Sequence, residues 1–234
     1  MPSTRILVGD PDLFGHREPV AFGTADVLVR PIHKDTADDL IRAGHYSGSV
    51  VWSSNRHFGV FHHGRLIGAL QYGPAMNPAS GGKVVRDCRP GEWLELNRMW
   101  LADEKPANCA TRAIAYSLRL LRHRLEPPTW VQAFADSRCG KLGAVYQAAS
   151  FLYLGSHETT FYELDGEWFH KSMRGRPLVD KRGWRCGPKI RRFLANEDRA
   201  VPHTFTQYRY AKFLRRGARK RLRMPVLPYP KVTP

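Results

Sequence analysis

The sequence predicts an α/β fold, a mixed sheet flanked by helices, carrying a basic and partly helical C-terminal extension. Three observations lead there. Strand-period and helix-period stretches alternate in the order strand, helix, hairpin, strand, helix, strand, helix, strands. The stretch from Trp93 to Phe151 holds two consecutive strand–helix units, whose strands end at polar residues, Arg98 and Asp136. Charge is partitioned: residues 1–173 hold 19 Lys+Arg against 18 Asp+Glu, and residues 174–234 hold 18 against 3.

In chain order, residues 1–24 mix Gly and Pro with short apolar pieces such as Ile6–Val8 and predict no definite element. Asp26–Arg30 reads as a first strand. Lys34–Gly44 reads as a helix, with Ala37, Leu40 and Ile41 at helical spacing and Gly44 as its stop. His57–Phe61 and Leu66–Leu70 flank His62-His-Gly-Arg65 as a hairpin. Residues 75–91, rich in Gly, Pro, Asn and Ser, predict a loop. Trp93–Leu101 is the next strand. A helix over 108–124 follows, with Ala110, Ile114, Leu118 and Leu121 on one face and Asn108 at its N-cap. Residues 129–135 predict a strand and 141–149 a helix. Three antiparallel strands follow over 151–155, 158–164 and 167–173, the last two joined at Asp165-Gly166. In the basic extension, 189–195 and 206–221 predict helices.

The near-neutral residues 1–173 therefore form one expected domain and the basic residues 174–234 a nucleic-acid-binding extension, an electrostatic footprint for a polyanion. Aromatics interleave with the charge at Trp184, Phe193, Phe205, Tyr208, Tyr210 and Phe213. Trp184, Arg191, Arg192, Arg215 and Arg216 are the candidate contacts there. Four cysteines without C-x-x-C spacing, and no signal peptide or membrane span, point to reduced thiols in a cytoplasmic protein.

The chemistry-bearing candidates cluster at the strand ends. Asp136 closes a strand and Tyr146 lies in the next helix; a carboxylate and a phenol there suit proton transfer from an amine and to a leaving group. The same pattern also fits an N-capping aspartate and a core tyrosine. Arg98, on a strand otherwise lined by apolar residues, needs a partner: Glu95, Asp136 or an anionic substrate. His45-Tyr46, beside Gly44 and Gly48, offers acid–base or stacking groups, and Tyr72 a further stacking ring. His45, His57, His62 and His63 fall close together without a clear third or fourth ligand, so no metal site is assigned. The element order is that of the acetyltransferase-like GNAT fold. The turn before the 108–124 helix, Lys105-Pro-Ala-Asn-Cys-Ala-Thr-Arg112, lacks the glycines of a coenzyme A cradle; the helix N-terminus remains available to an anion, with Arg112 beside it.

These residues resemble a known family. His45-Tyr46-Ser47, Gln71-Tyr72-Gly73-Pro74, Glu95-Leu-Asn-Arg98-Met-Trp, Phe134-Ala-Asp136, Gly143-Ala-Val-Tyr146-Gln-Ala-Ala-Ser-Phe151 and the basic tail are together similar to the Mom proteins of Mu-like phages. The resemblance implies a GNAT-like enzyme that converts adenine in DNA to N6-(carbamoylmethyl)adenine and shields phage DNA from restriction. It implies activity at His45, Tyr46, Arg98, Asp136 and Tyr146, and links to acetyl-CoA and to iron. The product contains the atoms of a glycine residue, which makes glycyl-tRNA the favoured acyl donor and tRNA a partner beside double-stranded DNA. A conventional acetyltransferase acting on a protein or small amine, and a non-catalytic nucleic-acid binder, are the competing expectations.

Overall fold

A computed structural model of the chain describes residues 5–9, 19–123, 127–140, 142–179, 183 and 185–231. Trp184, the first residue of the expected 141–149 helix and the last of the expected 108–124 helix lie outside the described residues. The strands are β1 Arg5–Val8, β2 Pro19–Gly23, β3 Leu28–Pro31, β4 Arg56–His62, β5 Arg65–Gly73, β6 Trp93–Leu101, β7 Trp130–Asp136, β8 Leu152–Leu164, β9 Glu167–His170 and β10 Val201–Phe213. The helices are α1 Lys34–Gly44, α2 Gly81–Val84, α3 Cys109–Arg122, α4 Ala144–Ala148, α5 Pro188–Leu194 and α6 Arg216–Lys220. The strands form one large mixed sheet in the order β1-β2-β3-β4-β5-β6-β7-β10-β8-β9.

The chain divides into two compact units: residues 1–134, 143–155 and 209–234 in the first, 135–142 and 156–208 in the second. Residues 174–234 therefore contribute to both. In the first unit α1 buries Ala37, Asp38 and Ile41, and α3 buries Ala113, Ile114, Ser117, Leu118 and Leu121, the i, i+3/i+4 stripes that their sequences carry. Antiparallel pairing runs from β1 through β6. β6 and β7 pair in parallel, and their register covers three pairs: Trp93 with Trp130, Leu94 with Val131, Glu95 with Gln132. Beyond Glu95 and Gln132 the two strands part. Behind that divergence Trp93 and Trp130 stack at 4.7 Å between ring centroids, in a core with Val84, Val85, Leu154, Ala211 and Ala218. The second unit has its own small core of Leu164, Phe169, Phe193 and Ala200.

Several expectations are corrected. The helix expected over 206–221 is instead strand β10 up to Phe213, followed by the short α6. Thr204 to Phe213 is rich in Thr, Tyr and Phe, residue types that favour strands, but polar and aromatic residues share both faces, so no period-two alternation marks it. Residues 151–155 and 158–164 are one continuous strand, β8, which carries Gly155 at φ +96°. Asn108 precedes α3 in a left-handed conformation, φ 56°, and its side chain caps nothing. The helix expected from 141 is the shorter α4, after a turn of 3-10 helix over Ser137–Cys139. The expected 75–91 loop contains α2. Residues 5–8 and 19–23, which predicted nothing definite, supply the sheet edge. The Asp165-Gly166 turn is present, both residues at positive φ as a type I′ hairpin requires.

Candidate active site

The parallel ladder between β6 and β7 ends at Glu95 and Gln132. Glu95 is the last residue of β6 in register with β7, and the Gln132 amide donates to its carboxylate at 3.3 Å. Burial pushes the Glu95 carboxyl above the ordinary carboxylate range, against the amides of Gln132 and Asn97 and the charges of Arg98 and Arg209. Arg98, three residues on, donates from Nε to the Ser49 carbonyl at 3.0 Å and from Nη1 to the Asn97 carbonyl at 2.7 Å. It thereby fastens the loop after α1 to β6.

That loop carries His45 and Tyr46. The Ser47 backbone N–H donates to His45 Nδ1 at 3.2 Å, which puts the proton of the neutral imidazole on Nε2. The His45 and Tyr46 rings lie 4.2 Å apart, and Tyr46 is 60% exposed. Trp52, a little further along, is 86% exposed. Gly44 lets this loop leave α1 against Trp100: a Cβ there would stand 2.0 Å from the indole.

Tyr146 enters from α4. Its ring packs on Phe151 and Tyr210, and its hydroxyl faces the Phe134 carbonyl at 3.5 Å. Burial pushes its phenol well above the usual range, with the neighbouring Tyr46, Glu95 and Tyr210 adding to the shift. Tyr146 is thus a neutral hydrogen-bond donor at physiological pH. The first unit brings Tyr46, Arg98 and Tyr146 together around Glu95. Arg209, from β10, lies over the Phe134 ring with its guanidinium 5.3 Å from the centroid; its Nε is buried without a hydrogen-bond partner among the described residues.

Asp136 belongs to the second unit, at the end of β7, and is 8% exposed. Its Oδ2 accepts from Arg138 Nε at 2.8 Å and Nη2 at 2.6 Å, and its Oδ1 from the Arg138 backbone N–H at 3.0 Å. It caps the 3-10 turn that leaves the strand. Arg138 in turn lies 3.7 Å above the Phe161 ring.

Two binding candidates are corrected. Tyr72 is 0% exposed, and its hydroxyl pairs with Ser117 Oγ at 2.6 Å; it is a core group with no face to offer a base. The Arg112 fork is committed to Asp26 Oδ2 at 2.5 Å and Thr24 Oγ1 at 2.6 Å, and it holds the Asp26 carboxyl below the usual range. In the extension, Arg191 lies exposed on α5, Arg192 bonds Glu167 at 2.5 Å, and Arg215 and Arg216 are exposed at the start of α6. Glu95 as a site group in its own right, Arg209, Arg138 and Trp52 were not singled out by the sequence; the strand pattern around Glu95 was the one available signal.

Among the described residues, the cluster of ligand-type side chains does not suit a bound metal. Asp26, His62 and His63 bring ligand atoms within 4.8 Å of one another, but the Arg112 guanidinium already occupies that carboxylate. The turn before α3 forms no glycine-lined cradle. It carries Asp103 and Glu104, and the Lys105 ammonium is spent on the Ala102 and Asp103 carbonyls. No helix among the described residues is long and apolar enough to cross a membrane.

The chain is similar to several known proteins. Among solved structures, Arabidopsis thaliana NAA60 in complex with a bisubstrate analogue aligns over 80% of this chain and 97% of its own at TM-score 0.49 and 11% identity. A probable GNAT acetyltransferase from Chromobacterium violaceum covers 91% and 95% at TM-score 0.45 and 13% identity. The methylcarbamoylase mom of Escherichia phage Mu is 46% identical over 215 residues, 91% of this chain and 87% of that protein. The model of the Mom protein family matches residues 26–231. On that match and that identity, the chain belongs to the Mom protein family.

Proposed function

We propose that this chain modifies adenine in double-stranded DNA, building N6-(carbamoylmethyl)adenine by acyl transfer to N6, and so protects phage DNA from restriction. The observation that carries the reading is its 46% identity, over 91% of the chain, to a protein named as a methylcarbamoylase. The geometry suits such a step. N6 is a weak nucleophile inside the base stack, so the base must be extruded, at a cost of roughly a few kcal/mol. Tyr46, exposed on a loop that Arg98 fixes in place, offers it an aromatic face. Tyr146, neutral and donating, protonates the departing oxygen. Arg98 steadies the negative charge that develops on the acyl oxygen. His45 positions Tyr46 through ring contact. Asp136, held by Arg138, is a positioning residue for the turn after β7. Residues 174–234 hold the polynucleotide backbone through Arg191, Arg192, Arg215 and Arg216, in a protein that works in the host cytoplasm.

We favour glycyl-tRNA as donor. Attack of N6 on a glycyl ester forms N6–C and breaks the ester C–O bond. The free glycyl amine then closes on C6 through a five-membered spiro ring, and rupture of the old C6–N6 bond leaves the carbamoylmethyl group on the new nitrogen. The former N6 becomes the amide nitrogen. Purified protein, duplex DNA and tRNA charged with labelled glycine should give labelled modified adenine in the nucleoside mass spectrum, and Tyr146→Phe should lower that yield about 100-fold. Full modification from acetyl-CoA and ammonia without tRNA would overturn the glycyl donor. An unmodified nucleoside pool from cells expressing the chain would overturn the whole reading.

A further inference from the structure

Acylation of N6 requires a proton acceptor, and two carboxylates compete for the task. Asp136 has both oxygens committed to three N–H groups of Arg138. Glu95 accepts from neutral amides, with Gln132 at 3.3 Å, while the Arg98 fork beside it donates to the Ser49 and Asn97 carbonyls. The two strands part at this residue, so its side chain stands where the parallel ladder stops. We propose that Glu95 is the catalytic group that takes the proton from adenine N6, a role that rests on the adenine-acylation reading above.

The surroundings fit the assignment. Burial raises the free energy of the Glu95 carboxylate, which makes it a stronger base than an exposed glutamate. The charged and titratable groups around it are Arg98 on its own strand, Arg209 on β10 and Tyr146 on α4. The two cations offset part of the cost that burial places on its charge. Arg209, whose Nε lacks a hydrogen-bond partner among the described residues, biases the carboxylate without locking it. As the N6 lone pair bonds to the acyl carbon, the C=O π pair moves to oxygen and Glu95 takes the N6 proton. Collapse expels the ester oxygen, which takes its proton from Tyr146, and Glu95 passes its own to the tyrosinate. Amine and ester become amide and alcohol.

The test uses the full chain, a duplex oligonucleotide and tRNA charged with radiolabelled glycine, with single-turnover rates measured from pH 5 to 9. Wild type should gain rate with pH through one ionisation above the ordinary glutamate range. Glu95→Gln should lose that ionisation and about 100-fold or more in rate while its KM for duplex holds. Glu95→Ala should recover with added formate in proportion to its concentration. Wild type that labels adenine, with Glu95→Gln within about threefold of its rate and the same pH profile, overturns this role alone. A slow Glu95→Gln that keeps the pH limb, with no formate rescue of Glu95→Ala, assigns a structural role and also overturns it. A wild-type chain that labels no adenine overturns the acylation reading and this role with it.

Discussion

At the scale of single residues, the site is set by which polar groups lose water and which keep partners. Glu95 and Tyr146 are both pushed upward by burial, while Asp136 is held by an arginine beside it. The Glu95 shift has a thermodynamic sign. Its folded value lies above its unfolded one, so its contribution to stability is intact below the ordinary glutamate range and is lost as pH rises through the raised value. Glu95→Gln removes a desolvated charge. The variant should therefore melt with wild type at pH 4 and above it at pH 8, by about 2–4 °C for each kcal/mol recovered, which thermal melts across that range will check. In the sequence Arg98 stood out as a charge on an otherwise apolar strand and Asp136 as a carboxylate closing one, with Tyr146 in the next helix and His45-Tyr46 in a glycine-flanked loop; the structure sets Arg98 within β6 rather than at its end. The sequence could not make Arg209 or Trp52 legible, since neither the burial of one nor the exposure of the other follows from neighbours in the chain. Tyr72 failed for the same reason: its hydroxyl is satisfied by Ser117, 45 residues away.

At the scale of elements, α1 and α3 were readable because one face of each is buried at helical spacing, and β4, β5 and β6 because their apolar runs are short and bounded by turn residues. Strand β10 was not, because its alternating faces, Phe205, Gln207, Arg209, Ala211 and Phe213 against Thr206, Tyr208, Tyr210 and Lys212, mix charge with aromatics on both sides. The join between α1 and the His45–Ser49 loop is the element most sensitive to one atom. Gly44→Ala must displace the Trp100 indole. That should cost about 1–3 kcal/mol, read as a lower melting temperature, and should slow adenine modification because the loop anchored by Arg98 shifts with it.

At the scale of the whole molecule, the net charge of +16 is concentrated where the chain has the fewest acids. Some of those cations are structural. Arg221 bonds Glu92 and the Arg86 and Asp87 carbonyls, the latter two at 3.0 Å. Arg215, Arg216 and Arg219 stand exposed instead. Replacing these three with glutamine should reduce the salt dependence of duplex binding by about 0.9 in slope for each phosphate no longer neutralised, with the melting temperature unchanged; binding measured at several salt concentrations decides it. The strand order also bears on biogenesis. β10 is the neighbour of both β7 and β8, yet it is encoded about 40 residues after β8 ends. A ribosome-bound chain must therefore wait, with the edges of two strands unmatched, until β10 emerges to slot between them. Such late, long-range closure makes for slow maturation and leaves the newborn protein exposed to chaperones and proteases between the synthesis of β7 and that of β10.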